Sequence, residues 1–410
     1  MASGASPGAP GSPRPGLRVL GASCLALLWP GALLFGYPGV LGAHWGETLG
    51  LSRAAVGATL FFALAAVGSG MFPVGRWQGR PGVTARRLVL AGEVLTAASL
   101  LFTARPGGAW SLYAWGFTAG AASCLVYLPC LTAVQLWFPR HRGLASGVVN
   151  LGFAGSAALA APVLGWALGA LGYAGMHYAL AAAVLVVGGG AARWVAPPAG
   201  LPGRPSMGSE GVSLTPRHSL GTRAFWLLWG TWALQGAAGI AMVTLAVPLG
   251  LSRGAPFAAA LWVLTCFNLA NGWSRIAVGF LSDRVGRRPV LCAASLAAAG
   301  AYYSLPGVGS LWATAALAAV VGVAFGTLFT VSAPLAVECF GPAHFGAILG
   351  LVFTAYGFLS GILGPWLAGT LLDTAGGDPA AACRYLGALC AAAGLLVLGV
   401  RPPRPREGSS

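Results

Sequence analysis

Residues 268–289 read NLANGWSRIAVGFLSDRVGRRP. A single arginine, Arg275, stands inside an otherwise apolar run. Eight residues later the run breaks into Asp283, Arg284, Gly286, Arg287 and Arg288. An arginine in the middle of a bilayer-spanning helix costs about 2.5–3.5 kcal/mol on insertion scales. A chain keeps such a residue where it faces a water-filled cavity or a partner. The basic cluster that follows has the form of a short cytoplasmic loop. The stretch thus reads as a membrane span with a buried cationic anchor, ending in a charged turn.

The rest of the chain fits that reading. Of its 410 residues 57% are hydrophobic and only 8% charged, against about 25% charged in soluble domains. The net charge of +15 would suggest nucleic acid in a soluble protein. Here the arginines flank apolar runs, so topology accounts for them and no nucleic-acid partner is expected. The chain has no lysine. Any cationic anchor is therefore arginine, whose planar fork binds carboxylates through two parallel hydrogen bonds. The eight cysteines lie mostly within apolar runs without CxxC spacing and read as small core residues.

A helix crossing a bilayer needs about 20 apolar residues. Such runs lie near 18–41, 54–75, 88–104, 110–137, 143–171, 174–195, 224–250, 257–282, 289–306, 310–339, 344–372 and 381–400. The Pro/Gly/Ser/Arg-rich stretch 197–222 divides them six and six. The expected organisation is a disordered tail (1–17), a six-helix lobe (18–196), a linker (197–222), a second six-helix lobe (223–400) and a short tail (401–410). With the N-terminus inside, eighteen arginines fall on the cytoplasmic side and four (Arg53, Arg105, Arg253, Arg384) outside. Both termini are expected in the cytoplasm. The lobes repeat one another. Gly75, Arg80 and Gly82 match Gly279, Arg284 and Gly286, and Gly143 and Gly147 match Gly346 and Gly350, at offsets of 203–204 residues. Parallel six-helix repeats around a midplane site are a transporter architecture.

GFLSDRVGRR (279–288), with this twelve-span layout, resembles the loop signature of the major facilitator superfamily. YLPCLTAVQLWFPRHRGLASGVVNLGFAGSAALAAP (127–162) resembles the oxalate/formate antiporter family and its monocarboxylate-carrying relatives, and the eighth-helix arginine belongs to the same pattern. The resemblance implies an all-α integral membrane protein of twelve helices in two pseudo-symmetric lobes. It also implies alternating access around a small organic anion. Oxalate carriers of this family pair the eighth-helix arginine with a lysine in the eleventh helix. Here Tyr356 stands in that position. One cation complements one carboxylate, which shifts the expected substrate to lactate, pyruvate or formate. Proton-linked monocarboxylate carriers place an aspartate four residues before the arginine. Here that residue is Asn271, and an amide exchanges no proton.

Arg275 is accordingly the expected carboxylate clamp. Asn271 and Asn268 precede it by four and seven residues and share its helical face. Phe353, Tyr356 and Ser360 share a face of the eleventh helix. Tyr127 in the fourth helix and Tyr37 in the first are candidates from the opposite lobe. Gln235 is a weaker candidate, and Trp226, Trp229 and Trp232 read as an interfacial belt. Glu93 is read as pairing near the interface, with proton handling as the alternative. Glu338, Asp373 and Asp378 read as terminal or exposed, and the five histidines as solvated near span ends.

The resemblance makes Asp283, Arg284, Gly286, Arg287 and Arg288, with Gly279 and Arg80, a gating loop. Asp283 is expected to cap the fifth helix near Gly143 and to pair with Arg142. The first-lobe copy has Gly79 where the aspartate would stand.

No metal or cofactor site is expected. Acyltransferase, GxSxG and metal-ligand patterns are absent from the sequence, against a membrane enzyme. The alternatives kept are a dicarboxylate exchanger of oxalate/formate type, or a porter for a drug or sugar. The expected partners are the bilayer, the carboxylate and a co-transported or exchanged ion, with the protein acting as a monomer. A bacterial inner membrane is the default location, and a eukaryotic plasma or organelle membrane the alternative.

Overall fold

A computed structural model describes residues 13–78, 80–138, 142–198, 214–341 and 344–403. Among these the chain is helical, without strands. Residues 199–213 of the expected linker, and the outer parts of both tails, lie outside the described residues.

Twelve long helices follow in chain order, close to the twelve apolar runs. The first, α1, starts at Pro13 and comprises Pro13–Phe35 and Tyr37–Leu49, broken at Gly36. Pro38 contributes to the break, because it has no N–H for the carbonyl four residues back. Then come α2 (Arg53–Gln78), α3 (Ala85–Thr103) and α4 (Ala109–Trp137). Helices α5 and α6 are two limbs of Arg142–Ala183, folded back at Gly172. Gly172 has φ 67° and ψ 174°, a backbone setting that strongly favours glycine. The α6 limb continues through a π-helical turn, Val184–Gly189, into Gly190–Ala192.

The second lobe holds α7 (Arg223–Leu251), α8 (Phe257–Val285), α9 (Arg287–Ser304), α10 (Leu311–Phe340) and α12 (Pro379–Leu398). Between the last two lies α11, residues 345–374, built from Phe345–Thr354, two π-helical turns (Ala355–Ser360 and Ile362–Trp366) and Leu367–Thr374. Side-chain caps begin several helices: Thr84 for α3, Thr222 for α7 and Asp378 for α12. Each oxygen satisfies one of the N–H groups that a first helical turn leaves free.

With twelve spans, α1 starts and α12 ends on the same side, called here the terminal side, with the far side opposite. The lobes meet along two seams, α5 against α8 and α2 against α11, with α1 touching α7. These approaches run from the far side to the midplane. A Cβ at Gly57 would collide with the Pro365 backbone, and one at Gly39 with the Val243 carbonyl. At the midplane Gly68 and Gly357 meet backbone to backbone. Towards the terminal side, a Cβ at Gly147 of α5 or Gly350 of α11 would have nothing within 4 Å. The described residues therefore form a state closed on the far side.

Candidate functional site

The site is built from one face of α8. Asn268, Asn271 and Arg275 stack at helical spacing and are all buried, Arg275 to 5% exposure. Close packing against α10 brings this face to the lobe boundary. A Cβ at Gly322 would collide with the Phe267 carbonyl, and one at Gly326 with that of Asn271. One turn further along α10, Thr330 donates to the Arg275 carbonyl at 3.4 Å, and the Phe329 ring lies 4.5 Å from the guanidinium. A cation on an aromatic face gains about 2 kcal/mol or more when desolvated.

The guanidinium has no acidic partner: the ion pairs among the described residues involve Arg53, Arg287, Asp283, Asp373 and Glu338. It uses amides instead. Nη2 donates to Asn271 Oδ1 at 3.4 Å, and Nη1 donates across the lobe boundary to Asn150 Oδ1 of α5 at 3.2 Å. The Tyr127 hydroxyl of α4 donates to the same Asn150 oxygen at 2.8 Å. Three donors around Arg275 are buried without a partner among the described residues: Arg275 Nε, Asn271 Nδ2 and the Tyr356 hydroxyl. Tyr356 reaches the anchor region through Phe329, with ring centroids 5.5 Å apart. Phe353 and Trp232 extend the same wall, 4.5 Å from each other. A cation, an amide and a phenol with unused hydrogens, inside an aromatic wall, are a donor set whose chemistry complements an anion.

Of the residues singled out in the sequence, Arg275, Asn271, Tyr127, Tyr356 and Phe353 come together here. Asn268 is engaged elsewhere. Its Nδ2 donates to the Phe35 carbonyl, beside the break in α1, at 3.2 Å. Ser360 ties α11 to α7 through the carbonyls of Trp232 and Ala233. Gln235 is buried with both side-chain polar atoms unpartnered.

Tyr37 does not join the group. Its hydroxyl bonds His177 Nε2, and the His177 Nδ1–H donates to the Tyr173 carbonyl, all within the first lobe. An edge contact from Trp45 and a tilted one from Trp115 complete that cluster. His177 is thus buried rather than solvated, and Trp232 belongs to the site wall rather than to an interfacial belt. Glu93 is buried too, unpaired, while Arg87 turns to the Gly82 carbonyl.

The described contacts of the charged turn are local. Asp283 pairs with Arg287 at 3.3 Å, four residues on and across the Gly286 break, and Arg287 reaches Glu338 of α10. These contacts stay inside the second lobe, and the expected partner Arg142 is not among the described side chains. Gly79 also lies outside the described residues. Arg284 lies over the Phe280 ring, Arg288 donates to the Leu398 carbonyl at 3.5 Å, and Arg80 is exposed. Gly286 ends α8 with φ 102°, and Gly279 packs near Thr330.

Among the described residues, the charged contact that crosses between the lobes is on the far side. Asp373, at the end of α11, accepts from the backbone N–H groups of Arg53 (3.1 Å) and Ala54 (2.9 Å) at the start of α2. It thus adds a second acceptor from the other lobe to the α2 N-terminus, where Ser52 Oγ already accepts from the Ala55 N–H at 3.1 Å, beside a far-side cavity of about 560 Å³.

Asn150 and Phe329 were missed in the sequence. The signal for Asn150 was an amide within the apolar run SGVVNLGFAGS (146–156); for Phe329 there was none, since one phenylalanine in an apolar helix looks like another.

Comparison with known proteins agrees with this architecture. The major facilitator superfamily model matches residues 24–261 and 227–410. Human monocarboxylate transporter 11 is 30% identical over 355 residues, 81% of this chain and 71% of that protein. The oxalate:formate antiporter of Oxalobacter formigenes is 27% identical over 205 residues, 48% of each chain. Among solved structures, a mutant of the nucleoside transporter NupG superposes with a TM-score of 0.72 at 14% identity, covering 94% of this chain and 98% of the other. A bacterial homologue of the human lysosomal transporter Spinster, inward-facing and unoccupied, gives 0.70 at 15% identity over 95% of both chains.

Proposed function

The chain belongs to the major facilitator superfamily, and from that premise we propose that it carries a small monocarboxylate such as lactate, pyruvate or formate across a membrane by alternating access, with Arg275 as the anchor. The observation that supports this most is the state of Arg275. Among the described residues it is a buried cation with no acid opposite it, held by two amide oxygens and one aromatic face. Burial of a cation is normally offset by a counter-charge, and here the substrate supplies it. Small carboxylic acids are anions at neutral pH, and a carboxylate meets the guanidinium fork, Asn271 Nδ2 and the Tyr356 hydroxyl as a convergent set of donors. A single cation favours one carboxylate over two. The relatives named for monocarboxylate and for oxalate and formate transport support the same class of substrate. The terminal side is taken as cytoplasmic from the arginine bias. The charged turn of Asp283, Arg284, Arg287 and Arg288 then belongs to the cytoplasmic gate.

Counterflow in proteoliposomes tests the proposal. Vesicles loaded with unlabelled lactate are expected to accumulate labelled lactate, and vesicles loaded with oxalate are expected not to accumulate labelled oxalate. Arg275→Ala should abolish the exchange. Arg275→Lys, which keeps the charge but loses the fork, should reduce it at least ten-fold. Oxalate exchange would overturn the one-cation reading, and lactate exchange surviving Arg275→Ala would overturn the anchor.

A further inference from the structure

The oxygen of Asn150 holds an unusual position. It accepts two hydrogen bonds, from the Tyr127 hydroxyl at 2.8 Å and from Arg275 Nη1 at 3.2 Å. A phenol and a guanidinium on one oxygen are the donors that a carboxylate oxygen would take, and take more strongly, because the acceptor is then charged. Tyr127 and Asn150 belong to the first lobe and Arg275 to the second. The hydrogen bond at the anchor therefore spans the boundary along which the lobes must move.

Resting on the monocarboxylate reading above, we propose that the Asn150 amide is an internal stand-in for the substrate: in the empty carrier its oxygen fills the carboxylate seat between Tyr127 and Arg275, and binding displaces it. Two consequences follow from the geometry. The amide competes with substrate, so it weakens binding. It also gives the guanidinium a ligand while the carrier is empty. An uncompensated buried cation is costly, so an empty carrier lacking the amide crosses its closed intermediate slowly. A loaded carrier brings its own anion and does not need the amide. Asn150 thus acts as a positioning residue that sets the balance between exchange and net transport.

The test compares three variants in proteoliposomes. In Asn150→Ala, half-saturation for labelled lactate in counterflow should fall about ten-fold. Net efflux from loaded vesicles into lactate-free buffer should slow about ten-fold relative to counterflow. In Asn150→Asp a permanent carboxylate sits beside Arg275, so lactate binding should be lost while the protein stays folded, with an unchanged or raised melting temperature. Tyr127→Phe removes one donor from the seat and should weaken lactate binding. A merely structural Asn150 would lower both transport modes together and leave half-saturation unchanged. That result, or weaker binding in Asn150→Ala, would overturn the stand-in. Retained lactate binding in Asn150→Asp would overturn it as well, and does so even if the alanine variant does not fold. The monocarboxylate reading fails separately, if the wild-type protein exchanges no lactate.

Discussion

At the scale of single residues, the buried ionisable groups divide by what satisfies them. Arg275 has amides and an aromatic ring. His177 has a hydroxyl and a carbonyl. Glu93 has nothing: both oxygens are buried without a donor, and a Cβ at Gly188 of α6 would collide with them. A polar group buried without a hydrogen bond costs roughly 1–3 kcal/mol in protein mutational data. Glu93→Leu, similar in volume, is therefore expected to stabilise the first lobe by about that amount, read as a higher melting temperature in detergent. A lower melting temperature would mean that the carboxyl group serves the fold. Arg275, Asn271, Tyr127 and Tyr356 were legible in the sequence because polar atoms in an apolar span need a reason to be there. Their grouping was only partly legible. Tyr37 was placed in the site because a helix apolar on all sides gives no period by which to decide which way a tyrosine faces. Asn150 was overlooked because its meaning comes from two neighbours, 23 and 125 residues away.

At the scale of elements, α11 is the one that departs most from a regular helix. Its two π-helical turns, Ala355–Ser360 and Ile362–Trp366, each widen the coil, a feature that recurs at functional sites. The first turn carries Tyr356 and, next to it, Gly357, whose missing side chain lets α11 lie against Gly68 of α2. A Cβ at Gly357 would stand 2.6 Å from the Gly68 Cα. Backbone cannot rotate out of the way as a side chain can, so overpacking here is expected to cost about 1–3 kcal/mol. Gly357→Ala should lower the melting temperature and lengthen distances between spin labels placed across the far side, near residues 47 and 377. Unchanged distances would mean that the seam tolerates the methyl group and that its glycines are not required for closure. The spans themselves were legible, since length and apolarity decide them. The break in α1 and the π turns of α11 were not, because both depend on how the neighbouring helices share backbone hydrogen bonds.

At the scale of the whole molecule, two lobes that rock about a midplane site need each end held shut in turn. The sequence directed attention to Asp283, yet in this far-side-closed state that carboxylate is engaged with Arg287 of its own lobe. The carboxylate that does bridge the lobes among the described residues is Asp373, which read as an exposed helix end until the fold carried it, across 320 residues of chain, to the first turn of α2. There it accepts from two free N–H groups and faces the positive end of the helix dipole. Arg53 adds an ion pair at 4.0 Å, which is half exposed and contributes little. The bonds exist only while the far side is closed, so their loss must shift the equilibrium towards opening there. Replacing a side chain that accepts from a helix's first N–H groups by alanine costs about 1 kcal/mol, equivalent to roughly a five-fold change in a two-state population. Asp373→Ala should therefore raise the far-side-open fraction about five-fold in spin-label distance distributions, whereas Arg53→Ala, which keeps the backbone N–H groups, should shift it far less. Equal shifts in the two variants would locate the latch in the ion pair, and no shift in either would leave far-side closure to the glycine seams alone.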